Sequence, residues 1–127
     1  MINKYSKLKS ISESEIISKY LKKLSFDKRE SFRFENDSAY LNSFKNKKTI
    51  VTNDSIIESV DFFKNDSAQS IANKIVTSNL SDLSGMGAKP YCYTLNLCIP
   101  NYITIYWLDN FSNYLFKLQK KYNFFLL

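Results

Sequence analysis

The feature that most constrains this chain is where it can turn. Its 127 residues contain two glycines, and both fall in one stretch, SNLSDLSGMGAKP at 78–90, as Gly85 and Gly87. Glycine takes positive φ without steric cost, or lets another backbone pack close. A helix-like run precedes the pair and a strand-like run follows it, so the spacing predicts one tight helix-to-strand turn. No Gly-Lys-Ser/Thr follows, which excludes a Walker A loop. The turn explains the glycines. It leaves the carboxylate of Asp82 unexplained.

On either side the pattern is regular. Residues 12–24, SESEIISKYLKKL, open with a Ser12/Glu15 capping box and carry Ile16, Ile17, Tyr20, Leu21 and Leu24 as one apolar stripe. Lys22 and Lys23 suit the negative end of that helix. A strand can begin at Ser38–Leu41, KNKK at 45–48 is a turn, and TIVTND at 49–54 is a β-branched run stopping at Asp54. SIIESVDFF at 55–63 fits a strand at least as well as a helix. Residues 66–80 predict a second helix, capped by Asp66 with Gln69 three positions on, whose inner face is Ala68, Ile71, Ala72, Ile75 and Val76. YCYTLNLCI at 91–99 is a strand ended by Pro100. Residues 104–122 form a third helix, with Ile105, Leu108, Phe111, Leu115 and Leu118 inside and Lys117, Lys120 and Lys121 near its end. Asn123 then turns the chain into FFLL, which reads as the start of a buried strand and, left at an open sheet edge, as an aggregation site. The length fits one domain. The order predicts an α+β (α/β-like) fold, a mixed sheet of about four strands with helices packed on one face.

The net charge of +6 and the pI near 9.2 admit two readings. One is a polyanionic partner, phosphate-rich or nucleic acid; the other is simply a composition heavy in lysine, asparagine and isoleucine. The lysines are dispersed rather than gathered on one helix face with interleaved aromatics, so nucleic acid ranks last among partners. MINKYSKLKS has no apolar core of a secretory signal, and no run approaches the roughly 18 apolar residues of a membrane span. Cys92 and Cys98 sit six positions apart in one predicted strand, roughly 20 Å, too far for a disulfide. Unpaired cysteines without an export signal predict a cytoplasmic protein. The chain has no histidine, which excludes histidine-based acid–base catalysis, histidine metal sites and Ser-His triads.

Three aspartates mark the ends of predicted segments: Asp37 in ENDSA, Asp54 in VTNDS and Asp82 in NLSDL. Each is flanked by Asn, Ser or Thr. Hard cations such as Mg²⁺ take that mixture of carboxylate and neutral oxygen and let water complete the shell. Helix caps and turns produce the same dipeptides.

SNLSDLSGMGAKP resembles the VNLSDLAAMGA-P signature of the thiamine-monophosphate kinase family, within the wider superfamily of aminoimidazole ribonucleotide synthetase and selenophosphate synthetase. IVTNDSIIESVDFF is similar to that family's T-T-D-T-L-V-E-G-V-H-F segment, and ENDSAYL to its G-D-D-A-A-x-L. KPYCYTLNLCIP and WLDNFSNYLFKL match its next elements in order. In the family a strand like KYNFFLL runs on into a Gly-Gly-Asp-Thr motif, so the resemblance implies a single N-terminal metal- and ATP-phosphate-binding domain over 1–127, without the C-terminal domain. It implies transfer of the γ-phosphoryl group of ATP to thiamine monophosphate, giving thiamine diphosphate, with Mg²⁺ as the metal. The metal positions fall on Asp37, Asp54, Asp82, Thr52 and Asn53. A substrate-contacting histidine of the family falls on Asp61. No covalent nucleophile is needed, because phosphoryl transfer rests on positioning and charge neutralisation. The family's domain also pairs into a homodimer through its sheet. The sequence departs from the pattern at Arg33, Phe34 and Glu35, where the family is glycine-rich, at Asn36, its first aspartate, and at Ser59, a glycine. A carboxylate at Asp61 would repel a substrate phosphate. The resemblance therefore carries two expectations: a kinase fragment inactive alone, and a non-catalytic interaction or dimerisation fragment that pairs with a separate C-terminal half.

Overall fold

The structure is a computed structural model that describes Lys7 and residues 11–127. Apart from Lys7, the MINKYSKLKS stretch lies outside the described residues. The first helical stretch opens with helix α1, Glu13–Ile16, and its capping box is present. The Glu15 N–H donates to Ser12 Oγ at 3.3 Å, and the Ser12 N–H donates back to Glu15 Oε2 at 3.1 Å. The winding then widens to a π-helix over Ile17–Leu21 and tightens to a 3₁₀ turn over Lys22–Ser25. It stops at Phe26, which is left-handed at φ 49°. Leu24 is fully buried there, and its carbonyl accepts Gln119 Nε2 at 2.7 Å.

Helix α2 spans Ala68–Gly85 and helix α3 spans Ile105–Tyr122. Their packing is the most extensive contact in the fold. The inner face expected for α2 is present, with Ala68, Ile71, Ala72 and Val76 buried and Ile75 packed beside them. All five residues expected inside α3 are buried. Leu108 and Leu115 are almost completely withdrawn from water, and burying a leucine stabilises a fold by about 1.5–3 kcal/mol. The cap of α2 differs from expectation. Ser67 is the N-cap, accepting the Ser70 N–H at 3.1 Å, while Asp66 closes the preceding turn by accepting the Phe63 N–H at 2.8 Å. Gln69 reaches across to Asn110 of α3.

The expected four-stranded mixed sheet is not what forms. Among the described residues the sheet has two strands, β1 (Cys92–Tyr93) and β2 (Phe125–Leu126), running parallel with Cys92 opposite Phe125 and Tyr93 opposite Leu126. Helix α3 is the crossover a parallel pair requires. The 38–41 and 49–54 runs have strand composition, but a strand also needs a neighbour's donors and acceptors, and neither run finds one among the described residues. Residues 35–51 are exposed throughout. The 55–63 run folds back on itself, with Glu58 bridged to Phe62 and Ser59 left-handed between them. Beyond β1 the chain stays extended. Leu95, Leu97 and Ile99 face inward while Thr94, Asn96 and Cys98 face out, the period-2 burial of a strand without a second partner.

FFLL enters a buried strand as expected, paired on one side to β1. Phe124, Phe125 and Leu126 are buried, and Asn123 makes the turn before them at φ 58°. The glycine turn is present as expected. Gly87, at φ 65°, follows the C-cap of α2; its N–H donates to Ser84 O at 2.9 Å and the Ala88 N–H donates to Leu83 O at 2.8 Å, a Schellman closure.

Candidate functional site

Two of the motifs that supply the expected metal positions meet through a hydrogen bond, and Asp37 lines a cleft to which neither contributes. Asp82 lies on the exposed last turn and a half of α2, within four residues of the Schellman turn. Thr52, 30 residues earlier, donates its hydroxyl to Asp82 Oδ2 at 3.1 Å. A carboxylate and a neutral oxygen from different segments thus meet at one point. Asn53 and Asp54 follow Thr52 directly and are exposed. Their oxygens are the hard donors Mg²⁺ takes, and open water is available for the rest of a shell. Among the described residues, however, no three acidic or thiol side chains gather closely enough to hold a cation by themselves.

Asp37 lies elsewhere. It lines a cleft of about 200 Å³ with Ser31, Phe34, Asn36, Ser38, Ala39, Thr94 and the last residue, Leu127. The loop that carries it leaves a 3₁₀ segment at Arg29–Phe34, inside which Phe32 and Arg33 are left-handed, followed by Phe34 at φ 59°. Of these, Arg33 and Phe34 stand where the resemblance has glycines, and their backbone keeps the left-handed geometry glycine favours.

Asp61 performs a local task. Its Oδ2 accepts the Ile57 N–H at 2.8 Å, its own N–H donates to Ile57 O at 2.8 Å, and its carbonyl accepts the ammonium of Lys74 from α2. The carboxylate closes the 57–61 turn, and a lysine stands beside it. The same turn is tied to the approach to α3 by Tyr102, which donates to Glu58 and lies under the ammonium of Lys64 at 4.6 Å.

One functional candidate escapes sequence reasoning. Glu30 is buried, and its Oε1 accepts the Tyr91 hydroxyl at 2.7 Å and Asn42 Nδ2 at 2.5 Å. Those bonds, led by the one from Tyr91, hold its carboxyl below the ordinary range, and the carboxylate in turn pushes the tyrosine hydroxyl up. No local pattern could have signalled it, because the partners lie 12 and 61 residues away.

Residues 35–127, from Glu35 through the cleft, the Thr52–Asp82 contact and both strands, match the family model described as AIR synthase related protein, N-terminal domain. The chain belongs to the AIR synthase related family. It is 40% identical over 113 residues to the thiamine-monophosphate kinase of Buchnera aphidicola subsp. Acyrthosiphon pisum, 88% of this chain and 35% of that protein. It is 30% identical over 119 residues to the thiamine-monophosphate kinase of Haemophilus influenzae, and 31% over 121 residues to that of Escherichia coli strain K12. The chain therefore spans about a third of the length of the curated relatives it matches. No solved structure matches it. Among the described residues no helix is long and apolar enough to cross a membrane, and Cys92 and Cys98 are both free thiols.

Proposed function

We propose that this chain is the metal- and phosphate-binding part of a thiamine-monophosphate kinase, an enzyme that uses ATP and Mg²⁺ to phosphorylate thiamine monophosphate to thiamine diphosphate. The observation that carries this reading is the 3.1 Å contact between Thr52 and Asp82, which joins two of the motifs behind the resemblance. The relatives' shared name supplies the reaction. Asp82, Thr52, Asn53 and Asp54 would hold one Mg²⁺, with Asp37 reaching the same phosphates from its cleft. The bound metal would neutralise charge on the transferred phosphoryl group. The protein's own part is to orient: Thr52 fixes the Asp82 carboxylate, the Schellman turn fixes the end of α2, and Asp61 holds the 57–61 turn shut. Because Asp61 is engaged in that turn, it bears on substrate through the turn's shape more than through its charge. The protein works in the cytoplasm.

Since no three carboxylates converge among the described residues, the isolated chain binds Mg²⁺ weakly and turns over negligibly. Incubation of the purified 127-residue protein with ATP, Mg²⁺ and thiamine monophosphate checks both points. Turnover at an ordinary enzyme rate would overturn the fragment reading.

A second reading is favoured by a specific observation. Val51, Ile57, Val60 and Phe63 are each more than half exposed. That apolar surface suits a homodimer through the sheet region, or pairing with a separate C-terminal half. Co-purification with a polypeptide beginning near a Gly-Gly-Asp-Thr motif would support the pairing.

A further inference from the structure

The loop between residues 30 and 42 holds Asn36, Asp37 and Ser38, and one residue closes its neck. The Glu30 carbonyl accepts the Tyr40 N–H at 3.1 Å, so the two ends of the loop are joined through backbone. The same residue's carboxylate accepts Asn42 Nδ2 at 2.5 Å and the Tyr91 hydroxyl at 2.7 Å. Tyr91 immediately precedes β1, and it is itself fixed. Its ring meets Phe44 edge-on at 4.8 Å and Phe125 of β2 at 5.3 Å. Three residues beyond Tyr91, Thr94 lines the same cleft as Asp37. Glu30 thus fastens the loop to the segment that helps line the cleft of Asp37.

The loop needs fastening. Phe32, Arg33 and Phe34 are left-handed in succession, a conformation non-glycine residues resist, so local preference would unwind the turn that delivers Asp37. Phe32 stacks edge-on against Tyr40 at 5.3 Å, but both rings are partly exposed and offer little hold. The buried carboxylate with two donors is the strong tie, since hydrogen bonds to a charged acceptor outweigh neutral ones and a buried carboxylate strongly disfavours losing them.

We infer that Glu30 is a positioning residue, whose carboxylate clamps the 36–38 loop against β1 so that Asp37 is presented to a divalent cation in the cleft. The inference rests on the metal role proposed for Asp37. It assigns the clamp to Glu30, Asn42 and Tyr91, of which Glu30 and Asn42 lie outside the motifs behind the resemblance.

The test uses the full chain with Mn²⁺ as the probe, read by amide hydrogen exchange and by paramagnetic broadening of individual amides. In Glu30→Ala without metal, exchange of the Tyr40 amide, which is bonded to the Glu30 carbonyl, accelerates at least tenfold. With Mn²⁺, broadening at residues 36–38 then needs at least tenfold more metal, while broadening at residues 81–83, beside Thr52, keeps its midpoint. Glu30→Gln, which retains an acceptor, recovers part of both effects, as a residue acting only through fold stability would not do selectively. Should the alanine variant fail to fold, Tyr91→Phe removes one bond without emptying the site, and the same two readouts apply. Unchanged exchange in these variants overturns the clamp. Faster exchange with unchanged broadening at 36–38 overturns the positioning role. If the wild-type amides at 36–38 show no broadening at all, the metal reading of Asp37 fails and takes the positioning role with it, while the exchange data still report whether the clamp exists.

Discussion

At the scale of single residues, backbone handedness carries an unexpected part of the design. Gly87 is left-handed as its position after α2 requires, yet eight non-glycine residues among those described are left-handed too. Asn46 and Asn123 tolerate this well, since a short polar side chain can bond locally. Ser59 at φ 68° does not have that advantage to the same degree, and its position is one where the resemblance has glycine. Two opposite outcomes follow. Ser59→Gly relieves strain and stabilises the protein by about 0.5–1 kcal/mol, because a left-handed non-glycine residue costs about 1–2 kcal/mol and part of that gain is returned as glycine's extra unfolded-state freedom. Gly87→Ala destabilises by about 1 kcal/mol, although a methyl group there would meet open space, since the conformation and not the room is limiting. Urea midpoints of the two variants check the signs, and a destabilised Ser59→Gly would sink the strain argument. The same scale shows what the sequence could reveal. Asp82 stands out because its neighbours in sequence are informative, whereas Glu30 does not, because its meaning lies wholly in Asn42 and Tyr91.

Among the elements, the helices were legible and the sheet was not, for one physical reason. A helix closes its hydrogen bonds within four residues, so period and caps are written locally. In α3 every residue placed inside by the 3.6-residue period is buried, and Thr104 caps it by accepting the Trp107 N–H at 3.2 Å. A strand is completed only by a distant neighbour. TIVTND has the composition of a strand and no partner among the described residues, while Phe125–Leu126 has only two residues in register and pairs because α3 returns it beside Cys92–Tyr93. Even the α2 cap shifted by one residue, since Asp66 and Ser67 are both good caps and the Phe63 N–H claimed the aspartate. Stability should therefore concentrate where α2, α3 and β2 meet. Leu115, 1% exposed in the central cluster, is the sensitive position. Leu115→Ala costs about 2–5 kcal/mol, the range for emptying a closely packed leucine site. Thr104→Ala costs about 1 kcal/mol through loss of its cap. Chemical denaturation of both variants tests the ranking, and a Leu115→Ala loss smaller than that of Thr104→Ala would show that the core lies elsewhere.

For the whole molecule, the question is where apolar surface meets water. The C-terminal FFLL is withdrawn into the core, so the aggregation site expected there moves to residues 49–63. Val51 is 82% exposed, Val60 77% and Phe63 72%, on segments whose sequence has strand composition and which join no sheet among the described residues. Exposed apolar side chains on segments of strand composition mark a surface prone to association. The +6 charge opposes close approach of two copies, but charges on opposite sides of a Debye length of about 8 Å are largely screened at physiological salt. Burial of the valines and the phenylalanine acts at contact and is not screened. We therefore expect the protein to self-associate with rising concentration, and more so at higher salt, where the residual repulsion is weakest. Val51→Lys with Val60→Lys should return it to a monomer. Because both positions are exposed, each change should shift stability by no more than about 0.5 kcal/mol. Sedimentation velocity over a concentration series, at low and high salt, measures this directly. A wild-type protein that stays monomeric throughout would show that the 49–63 surface is tolerated in water and is no interface. Association that persists in the double-lysine variant would instead move the contact to the outer edge of 94–99.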